Sequence, residues 1–313
     1  MDFISAKIRI VSVFAGILIA GIATLIILGV MYFMFGTAIS IFIIGLILGA
    51  ILVIDIIQWL LSPYFIGMAY RLTPVPETDP QFTWLIEIVR KVAQNNNQKM
   101  PRIYIAEVDF PNAFAYGSPI ARRRLAITRS LTRILNHEEI EAVVGHEIGH
   151  LRHRDVELLM AIGLIPTIVF YLGYMLLFSG RSQRQSGNAV LIAIALMVVS
   201  FLFSILILGV NRLRETYADV NAAKTVDGGA GNLQTALAKI VSSTGTGQTV
   251  RRNATSGFSN MLLFSSVNDV HPENHIKLLE EWRRIKPPRF SSFFSDHPHP
   301  ARRIQLLENY RER

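Results

Sequence analysis

Between Arg9 and Asp55 the chain carries no charged side chain, and this apolar run is broken only by Gly36 and Thr37 near its middle. The pattern predicts two spans and a tight turn, because residues 10–35 and 38–61 each exceed the ~20 residues a helix needs to cross the hydrocarbon core of a bilayer. A signal peptide is the alternative for the first run. Against it stand the length of the run and the lack of a small-residue cleavage site before the second. A second apolar pair, residues 158–180 and 185–211, is divided by the polar link 181–184 and reads as another hairpin. Its alternative is two helices buried in a soluble core. Asp55 falls inside the second run, about two helical turns from its end. An ionisable group there is a functional candidate by default, or else a carboxylate near the interface reached by water or a neighbouring helix.

The remaining stretches have a mixed pattern. Residues 62–80 are rich in proline and turn formers, as in a linker. A helix is predicted over 82–95 and is ended by Asn95, Asn96 and Asn97. Residues 102–107 alternate with a β-branched bias and predict a strand, and residues 112–117 and 124–128 predict two more extended segments. Asn136 precedes an acidic first turn of His137, Glu138 and Glu139, the pattern of a capping box, and from it a helix is predicted through Asp155. Further helices are predicted over 212–225, 233–242 and 276–285, with a Gly, Ser and Thr rich loop over 244–257. The expected fold class is α+β, a mainly helical domain with a small β-sheet, plus four transmembrane helices in two hairpins. The predicted organisation is a hairpin over 1–61, soluble parts over 62–157 and 212–313, and a second hairpin over 158–211.

Composition agrees with the spans: of 313 residues 51% are hydrophobic and 17% charged, with a mean hydropathy of +0.37. The absence of cysteine excludes a disulfide scaffold, a Cys-ligated zinc site and a thiol nucleophile. The net charge of +8 is carried by the soluble parts, which hold 27 of the 31 basic residues. Under the positive-inside tendency both parts face the cytoplasm, with the protein multi-pass in the cell membrane. Acidic residues are interspersed among these bases, so no stripe for nucleic acid forms and none is expected as a partner. The densest cluster, Arg122, Arg123 and Arg124, reads as a solvated loop or a contact with anionic lipid headgroups.

Residues 146–150 read His-Glu-Ile-Gly-His. Four residues advance a helix by about 400° and about 6 Å, so both imidazoles project from nearly one face, a turn apart. That geometry can hold one zinc ion, and zinc bound by two neutral imidazoles and a carboxylate keeps a position for a water of lowered pKa. Glu147 would act on that water as general base and pass the proton to the leaving amine. Glu215 is the candidate third ligand, with Asp219 one turn on to orient a ligand imidazole. The alternative is two surface carboxylates pairing with Arg212 and Arg214.

The chain resembles the HtpX-type membrane zinc metalloproteases and, more distantly, the CAAX prenyl proteases. The resemblance is carried by NAFAYG over 112–117, HEIGHLRHRDV over 146–156, RETYAD over 214–219 and HPHPARRI over 297–304, in that order. It implies a zincin-like protease domain with zinc held by His146, His150 and Glu215, Glu147 as catalytic acid and base, and Asp219 in support. It further implies that Asn112, Ala113, Phe114, Ala115 and Tyr116 form an edge strand along which a peptide substrate pairs. His297 matches a histidine that would stabilise the oxyanion of the tetrahedral intermediate. Arg303 is expected to lock a carboxylate near the site. His137, His153, His271, His275 and His299 read as surface or helix-end residues, with His153 as a cation at a helix end.

The leading expectation is a membrane zinc endopeptidase acting in quality control on membrane or membrane-proximal misfolded proteins. A prenyl-processing protease and a non-catalytic zinc-containing scaffold are the alternatives. The expected partners are protein or peptide substrates and the lipid bilayer; nothing in the pattern specifies an oligomeric state. If the motif helix runs on unbroken, His150 lies eight residues and thus about 12 Å from the third span. Glu215 follows the fourth span by four residues. The site is therefore expected close to the cytoplasmic membrane surface.

Overall fold

The computed structural model describes residues 39–179, 187–243, 272–286 and 297–311. The predicted first span, the link 181–184, the loop 244–257 and His271 lie outside the described residues. The chain divides into two compact units, one of Met1–Trp59 with Glu157–Asn211 and one of Leu60–Val156 with Arg212–Arg313.

Helix α1 covers Ile39–Ala69 and contains Pro63. It does not end at residue 61 as the linker reading expected. Pro63 removes one backbone donor, but its fixed φ is helical, and the apolar residues 64–69 continue the helix. Asp55 consequently lies fourteen residues, or about 21 Å, from the helix end rather than two turns from it.

Three helices among the described residues are long and apolar enough to cross a membrane. Their apolar stretches are Leu52–Ala69, Asp155–Tyr174 and Val190–Thr225. With the predicted first span outside the described residues, three of the four expected spans are seen as helices. In the unit that contains most of the latter two, Val169 and Leu176 pack with Ala193, Leu196 and Phe203. Ser200 donates its hydroxyl to the Pro166 carbonyl at 2.8 Å, a polar tie inside an otherwise apolar pair.

The second unit is built on a four-stranded sheet of β1 (Leu72–Pro74), β2 (Arg102–Ala106), β3 (Ala113–Ser118) and β4 (Arg122–Thr128), in the order β1-β2-β4-β3. β2 and β4 are parallel, with Ile103 opposite Leu125, and β3 returns antiparallel on β4, with Ala115 opposite Leu125. β1 lies in the segment read as a linker. It is a three-residue edge strand ending in proline, too short to show an alternation.

Helix α2 (Thr83–Asn95) follows a 3₁₀ turn at Pro80–Phe82. Helix α3 (Arg129–Ile134), not predicted, is capped by Thr128, whose hydroxyl accepts from the Leu131 amide. Helix α4 (His137–His153) begins with the predicted capping box, in which Asn136 accepts from the Glu139 amide at 2.8 Å and Glu139 accepts from the Asn136 amide at 2.9 Å. It ends before residue 155, because Arg154 turns left-handed at φ 54°. Helix α5 (Asp155–Ser179) restarts at once. Helix α6 (Gly187–Thr225) joins the predicted span and the predicted 212–225 helix in one unbroken rod. Helices α7 (Gly229–Ser243), α8 (Pro272–Arg284) and α9 (Pro300–Glu308) complete the unit. The core joins Leu85 and Val89 of α2, Ile105, Leu125 and Ile127 of the sheet, Ile140 and Ile148 of α4, and Leu233 of α7.

The arginine cluster is not a solvated loop as a whole. Arg124 is buried, with its guanidinium 5.2 Å from the rings of both Tyr64 and Tyr104. Arg123 donates to Gln98. Arg122 is exposed.

Candidate metal centre and active site

Helix α4 carries His146, Glu147 and His150, and α6 carries Glu215 and Asp219. These helices meet along a seam of small residues. A Cβ built on Gly149 would lie 3.2 Å from the Ala218 Cα and 3.2 Å from the Asn221 Cβ, so the glycine between the two motif histidines is what lets the backbones approach. Asn221 fixes the seam by donating to the Gly145 carbonyl at 2.9 Å.

The approach brings the three candidate ligands together. One donor atom from each of His146, His150 and Glu215 lies within 4.8 Å of the others. The imidazole Nε2 atoms are 3.3 Å apart, and they lie 3.6 and 3.4 Å from the Glu215 carboxylate oxygens. Tetrahedral zinc with ligand bonds of about 2.0–2.1 Å requires its ligands to stand about 3.3 Å from one another. The Glu215 Oε2 atom is buried without a hydrogen-bond partner. Its neighbours His146, His297 and Arg303, at 3.6, 3.1 and 3.8 Å, are within ion-pair range but do not satisfy hydrogen-bond geometry. A buried carboxylate oxygen so left fits a cation. The alternative of two surface carboxylates does not hold, since Glu215 is 6% and Asp219 0% exposed. Arg214 turns away to pair with Asp155.

Each imidazole is held from behind by a carboxylate. Asp219 lies 2.9 Å from His146 Nδ1, and Asp155 lies 2.7 Å from His150 Nδ1. Asp155 is a residue the sequence reading missed. The left-handed Arg154 turns the chain so that the first residue of α5 faces back to the last turns of α4. Arg214 pairs with this carboxylate and donates to the His153 carbonyl at 3.0 Å. Burial acts to lower the His150 pKa, but hydrogen bonds to Asp155 and Glu215 push it up to about 10. His146 is raised likewise, burial being outweighed by Asp219 and Glu215. The carboxylates thus give the cluster a potential that favours positive charge.

Arg303 on α9 locks this arrangement as expected, donating to both Asp219 oxygens at 2.9 and 2.6 Å. Burial lowers its pKa, and the opposing charge of Asp219 more than restores it. His299 caps α9 by accepting from the Ala301 amide, and burial lowers its pKa. With Pro300 at the first helical position, this cap starts a helix that the sequence reading left out. His297 is exposed and reaches Glu215 at 3.1 Å, so it stands at the site. His153 packs its ring edge-on against Tyr217 with centroids 3.7 Å apart. His137 stacks on Trp84 at 4.5 Å.

Glu147 points to the sheet: its Oε2 accepts from the Ala115 amide of β3 at 2.8 Å. β3 is an edge strand among the described residues. Asn112, just before it, exchanges bonds with Thr128, whose amide donates to the Asn112 carbonyl and whose hydroxyl accepts from the Asn112 amide. The backbone groups of 112, 114 and 116 therefore face β4, while those of 113, 115 and 117 face the open side. Tyr116 offers an incoming chain little, being 5% exposed, and burial pushes its hydroxyl up to about 12. Phe114 packs on Tyr70 at 4.9 Å.

Comparison with known proteins bears on this geometry. The model of peptidase family M48 matches residues 79–311. The chain is 54% identical over 312 residues to a protein named protease HtpX homolog from Thermoplasma acidophilum, covering 98% of each chain. It is 52% identical over 316 residues to one of the same name from Picrophilus torridus, covering 99% of each. The crystal structure of S. mikatae Ste24p has a similar fold, with a TM-score of 0.56 at 19% identity, over 97% of this chain and 67% of that one.

Proposed function

The chain belongs to peptidase family M48, and from that premise we propose that this membrane metalloprotease is a zinc endopeptidase using His146, His150 and Glu215 as ligands and Glu147 as general acid and base. The observation that carries the reading is the triangle of donor atoms at 3.3–3.6 Å. Zinc bound there would polarise a peptide carbonyl and lower the pKa of a water. Asp219 and Asp155 orient the two imidazoles so that each presents Nε2.

Glu147 takes the proton of the attacking water and returns it to the leaving nitrogen. The Ala115 amide holds its carboxylate toward the open edge of β3. A substrate in extended form pairs with the outward groups of Ala113, Ala115 and Gly117 and is thereby laid beside Glu147. Asn112 and Phe114 set the strand in place through their contacts with Thr128 and Tyr70. His297, at the exposed side of the site, donates to the developing oxyanion. The catalytic part faces the cytoplasm from the cell membrane, as the basic residues of 62–157 and 212–313 favour. The substrates are membrane or membrane-proximal proteins that have lost their fold.

The test is purification of the full chain, zinc stoichiometry, and peptide cleavage by wild type and Glu147→Gln. One zinc per chain in both proteins and a loss of roughly 10²-fold or more in rate for the variant are expected, the size of a general-base contribution. Equal cleavage by Glu147→Gln overturns the assignment. Replacing Glu215 by Ala is expected to lower zinc affinity sharply, and unchanged zinc content would remove it from the ligand set.

A further inference from the structure

We propose that the turn joining β3 to β4, residues 119–121, is a membrane-docking element in which Ile120 enters the bilayer interface and Arg122 meets anionic lipid headgroups. β3 runs alongside the last turns of α1. The ring of Phe114 lies 4.9 Å from Tyr70, just past the helix end. Four residues further along the strand, the Ser118 hydroxyl donates to the Leu60 carbonyl at 3.1 Å. Four strand residues cover about 13 Å and ten helical residues about 15 Å, so these contacts describe two elements lying side by side in opposite directions. Arg124 adds a third tie, to the Pro63 carbonyl at 3.5 Å and over the Tyr64 ring.

The strand therefore climbs along α1 and brings its turn level with Leu60. That level lies well inside the apolar stretch Leu52–Ala69. The outward side of the helix there is apolar and open, with Leu61, Phe65 and Met68 exposed by 40, 59 and 68%. Spaced four and three residues apart, they form one stripe, and in a membrane protein lipid covers such a stripe. The turn at the same level exposes Ile120 by 56%.

Arg122 follows Ile120 by two residues, is exposed, and adopts φ 61°. An arginine there can lay its apolar stem along the interface and keep its charge among phosphates. Arg123 and Arg124 are engaged with Gln98 and the tyrosines, so the lipid contact falls to Arg122. If β3 receives substrate as proposed above, its open edge starts at the bilayer and leads to Glu147. This use rests on that reading; the docking does not.

The chain has no cysteine, so Ile120→Cys gives a single labelling position in the full-length protein. An environment-sensitive fluorophore would be attached there, with Glu138→Cys on the exposed first turn of α4 as control. Both would be studied in nanodiscs of phosphatidylcholine, with and without phosphatidylglycerol. The expected result is blue-shifted emission at 120, quenching by brominated lipid and loss of quenching by aqueous iodide, with the reverse at 138. Equal iodide quenching at both positions and none by brominated lipid overturns the docking. Adding Arg122→Glu to the Ile120→Cys chain is expected to lower lipid quenching in the phosphatidylglycerol discs only. Quenching unchanged in those discs overturns the headgroup contact. None of these readouts depends on cleavage, so failure here is distinct from failure of the proposed mechanism.

Discussion

Asp155 occupies a position that nothing in its immediate neighbours advertises. It opens a helix long and apolar enough to cross a membrane, yet its carboxylate sits 2.7 Å from a motif imidazole and its charge is answered by Arg214. Replacing a group that orients a metal ligand from behind lowers metal affinity by about 10–100-fold. Asp155→Ala is expected to weaken zinc binding by that amount in chelator competition, with Asp155→Asn recovering part of it. A variant that binds zinc as wild type but unfolds at lower temperature would reduce Asp155 to a structural role. His146 and His150 were legible because helical geometry alone places them on one face, and Glu147 from its position beside the first of them in the motif. Glu215 and Asp219 were legible from their one-turn spacing taken with the family resemblance. Asp155 was not, because its direction depends on a left-handed Arg154, and neither Gly nor Asn marks that position.

Elements, rather than single side chains, set the distance between the two halves of the site. α4 and α6 touch at Gly149 with 3.2 Å between a would-be Cβ and the facing Cα. Gly149→Ala must push the helices apart, at about 1–3 kcal/mol. A lower unfolding temperature together with weaker zinc binding is expected, and a thermal melt with and without chelator checks both. On the sheet, the Ala115 amide points away from β4, so Ala115→Pro removes a donor without removing a rung of the ladder. Retained circular dichroism with strongly reduced cleavage is expected; cleavage at the wild-type rate would show that this amide neither holds Glu147 nor receives substrate. The strand read from alternation and the two further extended segments are present as strands at 102–106, 113–118 and 122–128. β1 and α3 were too short to carry a period, with three and six residues. The unbroken α6 was divided in the reading because its composition changes from apolar to polar at residue 212, while its backbone does not respond.

For the molecule as a whole, the concentration of apolar residues into long runs decided the membrane assignment, and three of those runs are helices of sufficient length. The linker expected from residue 62 begins eight residues later, since Pro63 stands near enough to Pro74, Pro76 and Pro80 to suggest one turn-rich stretch, yet the apolar residues 64–69 between them continue the helix. If the site works at the bilayer surface, a peptide tethered to the membrane is expected to be cleaved faster than the same peptide free in solution. The comparison in nanodiscs at matched bulk concentration checks this, and equal rates would separate the protease from its membrane in function. If substrate pairs with the open edge of β3 as proposed, the pairing bears on what such an enzyme can attack. Strand pairing engages amide and carbonyl groups that every residue except proline carries alike, so it selects for availability of backbone rather than for a particular side chain. A folded protein has already committed those groups to its own helices and sheets. Discrimination between native and failed chains then needs no recognition motif: it follows from which chains still have backbone hydrogen bonds to give.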